Sequence, residues 1–205
     1  SSVSLAGNPE VILYREYESG ILTHALMSYN NRGESQTGVS KDAIDSYLTE
    51  NGLPIDQDPA YQGDHGIENV MANRDPRLHQ TIVPYELRLN GVVGHYSTTG
   101  FATHKFLNEE IKDNQEGFSS LNIIDSPVLR YGEVLINYAE AAAELATVGG
   151  PALTQEDINK SINVLRARPG VDMPAVELSG ESFSVNGTVI VDPERDPDVS
   201  PILWE

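Results

Sequence analysis

Apolar residues recur along the chain with two periods. In "SPVLRYGEVLINYAEAAAELATVGG", Val128, Tyr131, Leu135, Tyr138, Ala142 and Leu145 return at helical spacing. One long helix is predicted, with Ser126 as its N-cap and Pro127 in its first turn. Gly149, Gly150 and Pro151 stop it. A second helix is predicted over "TQEDINKSINVLRAR". Thr154 and Asp157 have capping-box spacing there, and Ile158, Ile162 and Leu165 share a face. Pro169-Gly170 terminates it. In this pattern Tyr131 and Tyr138 fall among the helix-packing residues.

The other period is two. "NPEVILYREY" alternates loosely around Val11, Leu13 and Arg15, which predicts a short extended segment. "YELRLNGVVGHYS" alternates around Asn90-Gly91, and "SFSVNGTVIV" around Asn186-Gly187. Asn-Gly between alternating runs predicts a hairpin at each. Between these lie a polar loop, "SYNNRGESQTGVS", and a short helix, "KDAIDSYLTE". Ser40 caps that helix, Ile44, Tyr47 and Leu48 share a face, and Asn51-Gly52 ends it. "VSPILWE" opens another helix with Ser200 as cap and Pro201 first, in which Trp204 packs. The helical pair is close-packed through Ala139, Ala142, Ala143 and Ala146, in the manner of tetratricopeptide units. A pair of that kind buries both apolar faces only with stacked neighbours. No second repeat is found, and the opening reads as mid-protein sequence. The chain is therefore expected to be part of a longer protein.

"NRDPRL", residues 73–78, concentrates two basic residues in an acidic chain. Proline forces the preceding Asp75 into an extended conformation, so the hexapeptide is no helix interior. It is read as a structural corner in which guanidinium groups bind carboxylates or backbone carbonyls.

Composition narrows the function. The 205 residues carry 31 acidic and 13 basic side chains, a net charge of −18. Nucleic acid is excluded as a partner, because phosphate binding wants a basic face. The absence of cysteine removes disulfides, thiolate catalysis and Cys-based zinc sites. No run approaches the roughly 20 apolar residues of a membrane helix. The five histidines form no H-E-x-x-H, and neither G-x-S-x-G nor a phosphate-binding glycine loop is present. No cofactor is expected. "DQDPAYQGDHGIEN" holds Asp56, Asp58, Asp64 and Glu68, an oxygen-rich set of the kind calcium takes. Its spacing fails the EF-hand pattern, with Tyr61 where glycine is needed and Ile67 where the bidentate glutamate belongs. It is read as a solvated acidic loop.

Six segments in order resemble one family, the SusD/RagB glycan-binding lipoproteins of Gram-negative outer membranes. They are "NPEVILYREY", "LTENGLPI", "NRDPRLHQTI", "TGFATHKF", "DSPVLRYGEVLINYAEAAAEL" and "INVLRARPGVDMP". The resemblance implies a mainly α, SusD-like fold with short β-hairpins. In it a loop-rich region, 1–124, precedes a tetratricopeptide-like helical hairpin with a β-hairpin and the start of a further helix, 125–205. It also implies a non-enzymatic surface protein of the outer membrane, held by a lipid anchor that this chain lacks. Such a protein captures oligosaccharide for a TonB-dependent, SusC-like transporter. The alternative is a protein–protein scaffold that binds no glycan. Sugar recognition needs an aromatic face for the C–H side of a pyranose, and amide, guanidinium or carboxylate groups for its hydroxyls. Tyr29, Asn31 and Arg32 combine these types, as do Tyr61 with Gln62 and His95 with Tyr96. Those are the candidate ligand residues. No catalytic or metal-binding residue is assigned.

Overall fold

The structure, a computed structural model, describes residues 3–31, 38–83, 88–89, 92–93, 97–103, 105–117, 120–193 and 195–204. In chain order its elements are β1 (Val11–Arg15), α1 (Leu26–Asn31), α2 (Lys41–Asp45), α3 (Ile67–Met71), α4 (Pro76–His79), β2 (Arg88–Leu89) and β3 (Val92–Val93). A 3-10 turn (Gln115–Gly117), β4 (Ser126–Arg130), α5 (Tyr131–Thr147), α6 (Gln155–Lys160) and α7 (Ile162–Arg166) follow. The series closes with β5 (Glu177–Ser179), β6 (Ser182–Val185), β7 (Thr188–Val189) and α8 (Pro201–Trp204). Helices and small antiparallel sheets thus alternate, as expected.

The chain forms two compact units: Ser1–Ile44 with Arg77–Arg130, and Asp45–Pro76 with Tyr131–Glu205. This differs from the division into 1–124 and 125–205, for reasons of long-range bonding. Residues 126–130 belong to the first unit because β4 pairs antiparallel with β1, Tyr14 opposite Pro127 and Arg15 opposite Ser126. Residues 45–76 belong to the second. There Gln57 donates to the Val189 carbonyl at 2.5 Å and accepts from the Val191 amide at 3.0 Å, and Leu53 packs on the C-terminal core.

In the first unit, β4 corrects the predicted helix start. Ser126-Pro127 has the local signature of an N-cap, but β1 supplies a strand partner, and the helix begins only at Tyr131. Proline fits a two-stranded ribbon, where each strand has a free edge. α1 takes in the first four residues, 28–31, of the segment expected as a polar loop. Its N-terminal amides are satisfied from elsewhere: Met27 N–H donates to Asn122 Oδ1 at 2.9 Å and Leu26 N–H to His24 Nδ1 at 3.1 Å. Asn122, with 0% exposure, also donates to the Glu116 carbonyl at 3.0 Å. Asp125 accepts from Leu5 and Tyr17 amides at 2.9 and 3.0 Å. Met27, Leu107 and Ile124 pack beside this knot, with Ile111 at the edge. β2 and β3 pair antiparallel with Leu89 opposite Val92. The turn expected at Asn90-Gly91, with Tyr85 and Leu87, lies outside the described residues. Ser40 Oγ accepts from Ala43 N–H at 3.2 Å at the start of α2, which ends at Asp45, shorter than predicted.

In the second unit α5 packs against α6, α7 and α8. Its buried stripe is Leu135, Ala139 and Ala143, an i, i+4, i+8 row. The heptad-like row read from the sequence mostly misses it: Tyr131, Tyr138 and Leu145 are exposed. The expected single second helix is two, α6 and α7, broken at Ser161. The buried Ser161 hydroxyl donates to the Asp157 carbonyl at 2.6 Å, competing for the helix's own acceptor. The capping box of Thr154 and Asp157 is formed in full. Ile158, Val176, Phe183, Val185 and Ile190 form the core between this helical layer and the sheet β5-β6-β7. Asn186 and Gly187, with φ of 51° and 80°, make the β6–β7 turn. Two side-chain amides stand in for a further strand beside β5. Asn163 donates to the Val176 carbonyl and accepts from its amide, at 3.0 and 2.7 Å. Gln155 donates to the same carbonyl and accepts from Leu178 N–H, at 3.0 and 2.7 Å. α8 starts at Pro201, with Ser200 preceding it as expected. The Trp204 ring lies outside the described side chains.

Candidate functional site

The residues named for sugar contact are distributed over both units. Tyr29 lies on α1 in the first unit and is 48% exposed. Asn31 closes the same helix. Arg32, His95 and Tyr96 lie outside the described residues. Tyr61 lies in the second unit, where it is built into the corner made by residues 73–76.

That corner explains what "NRDPRL" does. Arg74 is 3% exposed, and its guanidinium is spent on backbone. It donates to the Val70 carbonyl at 3.0 Å, to Tyr47 at 2.7 Å and to Leu48 at 3.4 Å. The backbone adds its own ties, Asp75 N–H to Leu48 at 2.9 Å and Glu50 N–H to Asn73 at 2.8 Å. Asn73 takes the left-handed φ of 56° that asparagine tolerates. Its side-chain amide donates to the Ala60 carbonyl at 3.0 Å. Burial lowers the Arg74 pKa, against the opposing charges of neighbouring acids. The buried cation of the pair is therefore Arg74, while Arg77 is only half-buried and Pro76 starts α4. The Arg74 guanidinium carbon lies 5.3 Å from the centre of the Tyr61 ring, a cation–π contact. The Tyr61 hydroxyl donates to Asp64. The ring that sequence reasoning offered to a ligand is held by this corner.

In the acidic loop Asp56, Asp64 and Glu68 are exposed as expected, and Asp58 is not. Asp58 is 6% exposed rather than solvated. Its Oδ2 accepts from Thr49 Oγ1 at 2.5 Å and Asn51 Nδ2 at 3.0 Å, and its Oδ1 from Ala60 N–H at 2.9 Å. Burial alone raises this carboxyl's pKa, but bonds from Thr49, Ala60 and Asn51 outweigh it and leave the value lowered. Among the described residues no three His, Asp or Glu side chains gather into a metal centre.

Two aromatics expected to pack, Tyr131 and Tyr138, are at the surface. Tyr138, on α5, is 43% exposed, and its hydroxyl donates to Asp157 Oδ1 at 2.5 Å. Its exposure follows from the phase of the buried stripe, which alanines at 139 and 143 fix and which a count of large apolar residues overlooks. Among the described residues no helix is long and apolar enough to cross a membrane.

Comparison with known proteins agrees with the architecture. The model of the SusD family matches residues 9–196. A solved SusD-like carbohydrate binding protein from Bacteroides fragilis NCTC 9343 superposes with a TM-score of 0.56 at 27% identity. A second solved structure, selenomethionine BT4246, superposes with a TM-score of 0.53 at 20% identity and bears on the fold alone. Each alignment covers 84% of this chain and 36% of the other, so the chain spans about a third of the length of these relatives. No protein among the curated ones matches.

Proposed function

The chain belongs to the SusD family, and from that premise we propose that it binds oligosaccharide without cleaving it, at the cell surface. In this reading a lipid-anchored protein of the outer membrane passes the captured glycan to a TonB-dependent, SusC-like transporter. The observation that carries the glycan part is Tyr29, exposed on α1, in a chain whose family match runs through it. An exposed tyrosine can give a pyranose an apolar face to lie on, and amide or guanidinium groups can give its hydroxyls partners. Asn31, Arg32, His95 and Tyr96 are proposed as further ligand residues. Tyr61 is a weaker candidate, since Arg74 already occupies one side of its ring.

Isothermal calorimetry against soluble oligosaccharides tests the reading. Tyr29→Ala should weaken binding about three- to tenfold and leave the melting temperature unchanged. Reducing ends released on long incubation would sink the non-catalytic part. A scaffold reading draws support from Val134 and Leu145, which are exposed on one face of α5, a surface a helical pair could offer a neighbour. It predicts no saturable affinity for any glycan.

A further inference from the structure

His24 is half-buried, and both of its ring nitrogens are committed. Nε2–H donates to the Ile124 carbonyl at 2.9 Å, and Nδ1 accepts from Leu26 N–H at 3.1 Å. A carbonyl can only accept and an amide N–H can only donate. The two partners therefore fix one neutral tautomer, with the proton on Nε2 and a lone pair on Nδ1. Backbone holds the residue in place: His24 N–H donates to the Asn122 carbonyl at 3.0 Å, and Asn122 N–H to that of His24 at 2.9 Å. Tyr17 meets the imidazole edge-on, with ring centres 4.5 Å apart. Glu16 and Glu18, on either side of Tyr17, are exposed. Asp125, one residue past the Ile124 acceptor, is spent on the Leu5 and Tyr17 amides. Glu116 presents its carbonyl to the Asn122 side chain.

We propose that His24 is a proton-operated latch on α1, and that acid releases the helix that carries Tyr29. Histidine is the side chain whose charge changes between about pH 8 and about pH 5. An imidazolium carries N–H on both nitrogens, so Nδ1 turns from acceptor to donor and meets the Leu26 donor head-on. Turning the ring over changes nothing, since both edges then donate. Leu26 N–H loses its acceptor at the first residue of α1. A helix of six residues does not hold without its tertiary ties. Tyr29 rides on that first turn, its amide closed on the Ala25 carbonyl at 2.8 Å. Resting on the reading of Tyr29 as a ligand residue, glycan capture therefore weakens in acid.

Amide exchange in the 205-residue chain, corrected for the intrinsic effect of pH, reads the latch directly. Protection at Leu26 should fall at least about fivefold from about pH 7.5 to about pH 5. His24→Asn offers Leu26 an acceptor that takes up no proton, since an asparagine side chain bonds the backbone two residues on. Its protection should stay level. If His24→Asn does not fold, NMR titration of the unaltered chain decides, and the Leu26 amide shift should follow the His24 ring. A Leu26 amide that keeps its protection in acid, or loses it equally in His24→Asn, would overturn the latch. Calorimetry with neutral gluco-, manno-, galacto- and xylo-configured oligomers reads the consequence. Affinity should drop about three- to tenfold over the same interval in the unaltered chain and hold in His24→Asn. Affinity that ignores acid while the Leu26 amide responds would overturn the coupling to capture and leave the latch and the carbohydrate reading standing. A panel with no binder would overturn the carbohydrate reading and the capture step with it, and exchange at Leu26 would still decide the latch.

Discussion

Around Asn122 and Asp125 the elements are short, and single polar side chains complete the backbone's hydrogen bonding across 95 to 120 residues of sequence. In residues 131–204 the helices and sheet bond most of their own backbone, with Gln155 and Asn163 completing the edge at β5, and the inward faces are apolar: Ile158, Phe183, Val185. The contrast shows two ways of meeting one requirement, that buried N–H and C=O groups find partners. A side chain lost from the first region orphans a donor. A side chain lost from the second leaves a void.

The sharpest test of that contrast is Phe183→Ala. It should cost about 3–5 kcal/mol, the usual toll of a large aromatic removed from a packed core. Denaturant melts and exchange in peptides from 131–204 would register it, and a cost under about 1 kcal/mol would show that this core repacks. Next comes Asn122→Ala, which leaves the Met27 amide and the Glu116 carbonyl without this partner. About 1–3 kcal/mol is expected, read as faster exchange at Met27 and its neighbours. Unchanged protection there would mean that water replaces the side chain. Thr154→Ala should cost about 1 kcal/mol through the lost cap, and it also frees Asp157 to turn from Tyr138. The smallest effect is expected from pH. The folded carboxyl of Asp58 titrates below the ordinary value of 3.8. Its contribution is therefore present above that value and lost as pH falls through the folded one. Urea melts at pH 6 and pH 3 should lose less stability in Asp58→Asn than in the unaltered chain. An equal loss would place the acid sensitivity elsewhere.

These differences also explain what could be read in advance. The Thr154 cap and the Asn186-Gly187 turn are written within a few residues, so sequence reveals them. β4 is not, because its strand character is conferred by β1 from the far end of the first unit, against a Ser-Pro signal that favours a helix start. α1 is hidden in the same way, since its caps come from His24 and Asn122. Of the candidate site, exposed Tyr29 was legible as a polar-segment aromatic. The engagement of Tyr61 was not, because the Arg74 that faces it is 13 positions away and its burial depends on the carbonyls of Tyr47, Leu48 and Val70. Ala139 and Ala143, named for close packing, do set the buried phase of α5; Tyr138 was misplaced because the row of large residues points to a different face.

The pairing of β1 with β4 has a consequence for synthesis. Tyr17, just beyond β1, waits for Asp125, 108 positions later. At ribosomal rates of 5–20 residues per second that interval is about 5–20 s. For that time "VILYR" is an apolar strand with both edges open, a template for pairing with another nascent chain. A holdase that covers residues 11–15 should therefore raise the yield of folded protein more than one that acts after release.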